Sequence, residues 1–73
     1  MPDSLTITVN GSRRTIAADT WLPDVLLDLG ISPEATRGVA VAINDEIVRR
    51  AAWGATALKA GDRVEIVTAR QGG

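Results

Sequence analysis

The residues best placed to do chemistry are the last four, Arg70-Gln71-Gly72-Gly73, which follow directly on the strand-like run Arg63-Val64-Glu65-Ile66-Val67-Thr68. The working group is the carboxylate of Gly73. Glycine has no Cβ, so a Gly72-Gly73 end is thin, conformationally permissive and open at its final carbonyl carbon, as a tail threaded into another protein's active site has to be. Ordering glycine carries a large entropy penalty, so such a tail is expected to be mobile in the free protein and fixed only by a partner. Two glycines would equally end a terminus that merely frays. The tail alone does not choose between these readings, and the rest of the chain has to decide.

Composition leads us not to expect catalysis by the chain itself. With no cysteine and no histidine, disulfides, thiolate nucleophiles, the usual zinc ligands and the neutral-pH proton shuttle are all missing. No catalytic residue, no metal site and no bound cofactor are expected. Seventy-three residues allow one domain, which buries only about 60% of the surface its unfolded chain exposes and leaves little room for a cleft. Trp21 and Trp53 are the only aromatics, so the core must be aliphatic and the stacking platforms of single-strand nucleic-acid binders are lacking. Eight basic against nine acidic residues give a net charge of -1, too balanced to neutralise a phosphate backbone. Nucleic acid is therefore not an expected partner. The longest uncharged apolar run, Val39 to Ile43, is far short of the roughly 20 residues that span a bilayer, and Met1-Pro2-Asp3 does not open a secretory signal. The expectation is a cytoplasmic protein with no membrane partner, monomeric when free.

The elements that must carry the tail follow from periodicity. Leu5, Ile7 and Val9 alternate with Thr6 and Thr8, predicting a half-buried first strand. Asn10-Gly11 turns it, since both positions of a type I′ turn need positive φ, and Ser12 to Ala17 returns antiparallel with Arg13-Arg14 facing solvent. The period then changes: Leu22, Val25, Leu26 and Leu29 share one helical face, predicting a helix over roughly residues 21 to 29 with Thr20 as N-cap, Pro23 and Asp24 in the first turn and Gly30 at C′. After the connection through residues 32 to 38, Val39, Val41 and Ile43 alternate with Ala40 and Ala42, an apolar third strand with both faces expected to be covered. Asn44-Asp45 turns the chain into a short strand from Glu46 to Arg49. Arg50 to Leu58 shows neither period, so a wandering connection with one helical turn is expected to tuck Trp53 and Leu58 over the core edge, Trp53 serving the core rather than a partner. Lys59-Ala60-Gly61-Asp62 is a turn, and the final strand places Val64 and Ile66 on one face and Glu65 and Val67 on the other. A mobile tail offers too little area for specificity, so partners are expected also to grip the sheet face away from the helix, with Glu65 and Val67 as the docking candidates.

Two hairpins, one helix and a last strand that must pair with the first give an α+β fold, the ubiquitin-like β-grasp: a mixed four- to five-stranded sheet packed on one short helix. Several stretches then carry a resemblance: Val39-Ala40-Val41-Ala42-Ile43-Asn44 with Val48, Trp53, the run Leu58-Lys59-Ala60-Gly61-Asp62-Arg63-Val64-Glu65-Ile66-Val67, and Gln71-Gly72-Gly73. Together they resemble the sulfur carrier protein of thiamine biosynthesis, the ThiS family, over nearly the whole chain. The resemblance implies a β-grasp domain over residues 1–69 and a flexible diglycine tail over 70–73. It implies that an E1-like adenylating enzyme activates the Gly73 carboxylate with ATP, that a sulfur donor such as a cysteine desulfurase converts it to a thiocarboxylate, and that thiazole synthase accepts the sulfur. Arg70, Gln71 and Gly72 would thread into those partners. A carboxylate is a poor electrophile and must become an acyl adenylate before a sulfur nucleophile attacks it, which fits an unhindered glycine end. The alternatives are the small subunit of molybdopterin synthase, whose tail is typically more apolar than Thr68-Ala69-Arg70-Gln71, a ubiquitin-like modifier joined through Gly73 to a target lysine, and a β-grasp interaction module with an inert tail.

Overall fold

The computed structural model describes residues 3–31 and 38–68. Five strands, β1 (Ser4–Val9), β2 (Ser12–Ala17), β3 (Val39–Ile43), β4 (Glu46–Val48) and β5 (Arg63–Thr68), form one sheet in the order β2-β1-β5-β3-β4. β1 and β5 run parallel at its centre and the other neighbours antiparallel. Among the described residues one α-helix, α1 (Leu22–Asp28), covers a single face. This is the mixed-sheet β-grasp, at the five-stranded end of the expected range.

Both hairpins turn where positive φ is available. Asn10 and Gly11 sit at φ 51° and 85°, Asn44 and Asp45 at 53° and 71°, the type I′ geometry whose twist matches that of the flanking strands. The turn sets the register, Val9 opposite Ser12 and Ile43 opposite Glu46, and the register puts Ile7, Val9, Val41, Val64 and Ile66 on the helix side, all buried. Arg13 and Arg14 therefore point to opposite faces of the sheet, and the Arg14 side chain on the helix side remains 39% exposed. Arg14 lies on the helix side, half-buried, with its guanidinium 3.4 Å from Asp28 of α1.

α1 is too short to stand alone and is held from three sides. Leu22, Val25 and Leu26 are buried against the sheet. At its start the N-cap is Trp21 rather than Thr20, and the Asp24 carboxylate accepts from the Trp21 N–H at 3.1 Å. The chain before it is tied to the segment after the second hairpin by Leu22 N–H to Thr56 C=O (2.8 Å) and Leu58 N–H to Thr20 C=O (3.3 Å); that tertiary pairing, invisible in local sequence, shifts the cap by one residue. At its end Gly30, at φ 85°, donates to Leu27 C=O and Ile31 donates to Leu26 C=O, both at 2.9 Å. These two bonds make a Schellman motif, and Ile31 packs on the core beside it.

The connection from β4 to β5 contains a 3₁₀ helix, Arg50–Ala55. Trp53 inside it is buried and donates its indole N–H to Val48 C=O at 2.9 Å, so this tryptophan closes the end of the core and is not an exposed anchor. Leu58 is buried beside it. The following turn places Gly61 at φ 83° and holds Asp62, which is 8% exposed. The Asp62 carboxylate accepts from the Lys59 N–H (2.8 Å) and from the Asn44 side-chain amide (3.0 Å), while the Asn44 side-chain oxygen accepts from the Arg63 N–H (3.0 Å). A buried carboxylate without such donors would be strongly destabilising. Among the described residues no buried side-chain nitrogen or oxygen lacks a partner, and no helix is long and apolar enough to cross a membrane.

Candidate functional site

β5 is the element that leads to the tail, and the fold gives it the central position. β1 flanks it on one edge, through Thr8 opposite Arg63 and Val9 opposite Val64. β3 flanks the other through five rungs, from Ile43 opposite Val64 to Val39 opposite Thr68. The strand is therefore paired with β3 up to Thr68, two positions before Arg70. Alternation fixes which side chains face which way: Val64 and Ile66 enter the core, and Arg63, Glu65 and Val67 stand on the face away from α1.

Around Glu65 and Val67 the outer face is built from small and apolar groups. Ala40 lies opposite Val67, and Ala42 lies between Glu65 on one side and Ile47 of β4 on the other. Ile47 is 74% exposed and Val67 64%. The alanines keep the surface between these two branched side chains low. The expected cover over both faces of β3 is absent among the described residues, where Ala40 is exposed. Period-two alternation of alanine with branched residues marks a strand with one thick and one thin side, and the thin side is the open one.

The rim of this face is charged. Arg63 pairs with Asp45 at 3.0 Å, both side chains largely solvent-exposed. The hydrogen bond to Asp45 and that carboxylate's charge, with Glu65 adding to them, hold the guanidinium still more firmly in its charged form. Exposed pairs of this kind contribute little to stability and more to orientation of an approaching partner.

Of the sequence-predicted site residues, Glu65 and Val67 come together on one open face as expected. Gly73, Gly72, Gln71 and Arg70 lie outside the described residues. Ile47, Ala40 and Ala42 belong to the same face and were not singled out from the sequence; the signal was Ile47 standing between Glu46 and Val48 in a three-residue strand, which must put it opposite the core-facing side. Among the described residues no group of three or more histidine, cysteine, aspartate or glutamate side chains stands together as a cation site.

Comparison with known proteins adds two findings. The model of the ThiS family matches residues 7–73. A crystal structure of the thiamine biosynthesis protein ThiS from Geobacter metallireducens is 32% identical, with a TM-score of 0.76, over 94% of this chain and 100% of that one. No curated protein matches the chain.

Proposed function

We propose, from the premise that the chain belongs to the ThiS family, that it is a sulfur carrier of thiamine biosynthesis whose reactive group is the Gly73 carboxylate. The observation that carries the reading is the extent of the family match, which runs through β5 and the diglycine to Gly73. Residues 70–73 are the segment that partners thread, and the domain up to residue 69 is what they grip.

The chemistry is divided between this chain and its partners. A carboxylate oxygen of Gly73 attacks the α-phosphorus of ATP in an E1-like adenylating enzyme, pyrophosphate leaves, and the carboxyl carbon becomes an acyl adenylate. The terminal sulfur of a persulfide formed on a donor such as a cysteine desulfurase then attacks the carbonyl carbon and displaces AMP, giving an acyl disulfide. A thiol opens this disulfide by exchange, is left in a disulfide with the donor's cysteine, and releases the thiocarboxylate that thiazole synthase consumes. The chain contributes an acyl group without a side chain beside it. Arg70 keeps its charge at physiological pH and is costly to bury alone, so the channels that admit it must offer an acidic or phosphate-like counterpart. An apolar channel, as in the large subunit of molybdopterin synthase, is expected to refuse it.

Intact mass of the protein incubated with adenylating enzyme, ATP and sulfur donor tests the reading. The expected product is heavier by the exchange of one oxygen for sulfur, located at Gly73 by fragmentation, and supports thiazole formation. Efficient molybdopterin formation instead, or Gly73 joined to lysines of other proteins, would overturn it.

Docking is assigned to the outer face of β3, β4 and β5. Glu65→Lys is expected to weaken binding to the adenylating enzyme several-fold, while the unfolding free energy stays within about 0.5 kcal/mol because Glu65 is exposed. A titration paired with a denaturant melt measures both, and an unchanged Kd removes this face from the proposal.

A further inference from the structure

The main-chain ladder between β1 and β5 stops early. It ends where Val9 stands opposite Val64, because β1 leaves the sheet at the Asn10-Gly11 turn. β5 continues to Thr68. Along this edge the carbonyls of alternate residues, starting with Asp62 just before β5, point toward β1: that of Asp62 accepts from the Thr8 N–H at 3.0 Å and that of Val64 from the Asn10 N–H at 2.9 Å. The next in the series is Ile66, and no residue of β1 remains to meet it.

The side chain of Asn10 fills that place. Its Nδ2 donates to the Ile66 C=O at 3.2 Å, and its Oδ1 accepts from the Ile66 N–H at 2.8 Å. One carboxamide thus makes the two-bond contact that a further strand residue would make. The orientation of the amide is fixed by these partners, since a flipped group would set donor against donor and acceptor against acceptor. The same residue supplies the positive φ of the turn (51°), so it both ends β1 and replaces its missing rung.

We infer that Asn10 is a positioning residue for the sulfur-carrying end: its side chain keeps β5 paired on both edges as far as Ile66 and so fixes where, and in which direction, the chain departs toward Gly73. The inference rests on the carrier reading for its consequence and on geometry for its cause. With the clamp gone, the outer half of β5 is held by β3 alone, and the adenylating enzyme must order it while binding. That penalty falls on recognition of the carrier and not on the chemical step.

Two variants that tolerate positive φ test this, Asn10→Gly, which removes both bonds, and Asn10→Asp, which keeps the acceptor for the Ile66 N–H but sets a second carboxylate oxygen against the Ile66 C=O. Amide hydrogen exchange is followed at Ile66, with Ile7 and Val41 as reporters of the global core. ATP–pyrophosphate exchange is measured as a function of carrier concentration. The expected result is faster exchange at Ile66 than the reporters account for, and a KM for the carrier raised roughly 2- to 10-fold, the equivalent of about one net hydrogen bond, with kcat unchanged. In Asn10→Asp, acidification that protonates the new carboxyl should return protection at Ile66, because the O–H then donates to the Ile66 carbonyl. Acceleration at Ile66 that only parallels Ile7 and Val41, or an unchanged KM in both variants, would overturn the inference. Absence of any activation of the unsubstituted protein would instead strike the carrier reading, leaving the exchange pattern to decide the clamp.

Discussion

Deletion of Gly73 is expected to abolish ATP–pyrophosphate exchange with the cognate adenylating enzyme while leaving the melting temperature where it was. The loss follows from reach. Removing one residue draws the reactive carbon back by as much as about 3.3–3.6 Å along an extended tail, whereas a misplacement of about 1 Å suffices for a roughly hundredfold loss of rate. Binding through the sheet face would persist, because Ile47, Glu65 and Val67 are untouched. Stability would persist because every residue of the core cluster lies between Ile7 and Ile66. The truncated protein should therefore compete with the full chain for the enzyme without being activated. Full exchange by the truncated protein would refute the assignment of Gly73.

Leu26→Ala is expected to lower the unfolding free energy by roughly 2–5 kcal/mol, the range for deleting a buried leucine side chain beyond Cβ and leaving a cavity. Leu26 is 3% exposed and lies in the middle of the only apolar stripe that fastens α1 to the sheet. A domain of this size has about 5–15 kcal/mol in total, so the variant is expected to melt lower by roughly 4–8 °C for each kcal/mol lost. The adjacent Leu27 is 54% exposed and makes the control: Leu27→Ala should change stability by no more than about 0.5 kcal/mol. Denaturant melts of the two variants side by side read the helix face directly, and equal losses would mean that the face is misdrawn.

What the sequence disclosed was what local rules govern. Asn10-Gly11, Gly30 and Gly61 each stand where positive φ was required, and the change from period two to a helical spacing at Leu22 located α1 to within a residue. Burial of Val64 and Ile66 with Glu65 and Val67 outside followed from alternation alone. What it withheld depends on contacts between distant segments. Trp21 displaces Thr20 as N-cap because the chain on either side of it is bonded to Thr56 and Leu58. The apolar run of β3 predicts cover on both faces, yet apolar content does not say whether a second layer exists. Asn10 looked like a turn residue only, since its second role needs Ile66, 56 positions away. Of the site itself, Glu65 and Val67 were legible from strand alternation, whereas Ile47, whose alternation with Val48 was the available signal, is set beside Ala42 by the register of β4 on β3.

The central place of β5 also governs how the molecule comes into being. Its neighbours in the sheet, β1 and β3, are hydrogen-bonded to it and not to each other, and among the described strands it comes last in the chain. Until Arg63 to Thr68 have left the ribosome, the hairpin of β1 and β2 and the hairpin of β3 and β4 are two separate ribbons, and such ribbons are marginal on their own in water. The sheet therefore closes after most of the chain exists, through contacts of long sequence separation that make folding slow compared with a helical protein of equal length. Its folding nucleus has to include β5 or wait for it. A chain released short of β5 has no closed core and is open to proteolysis.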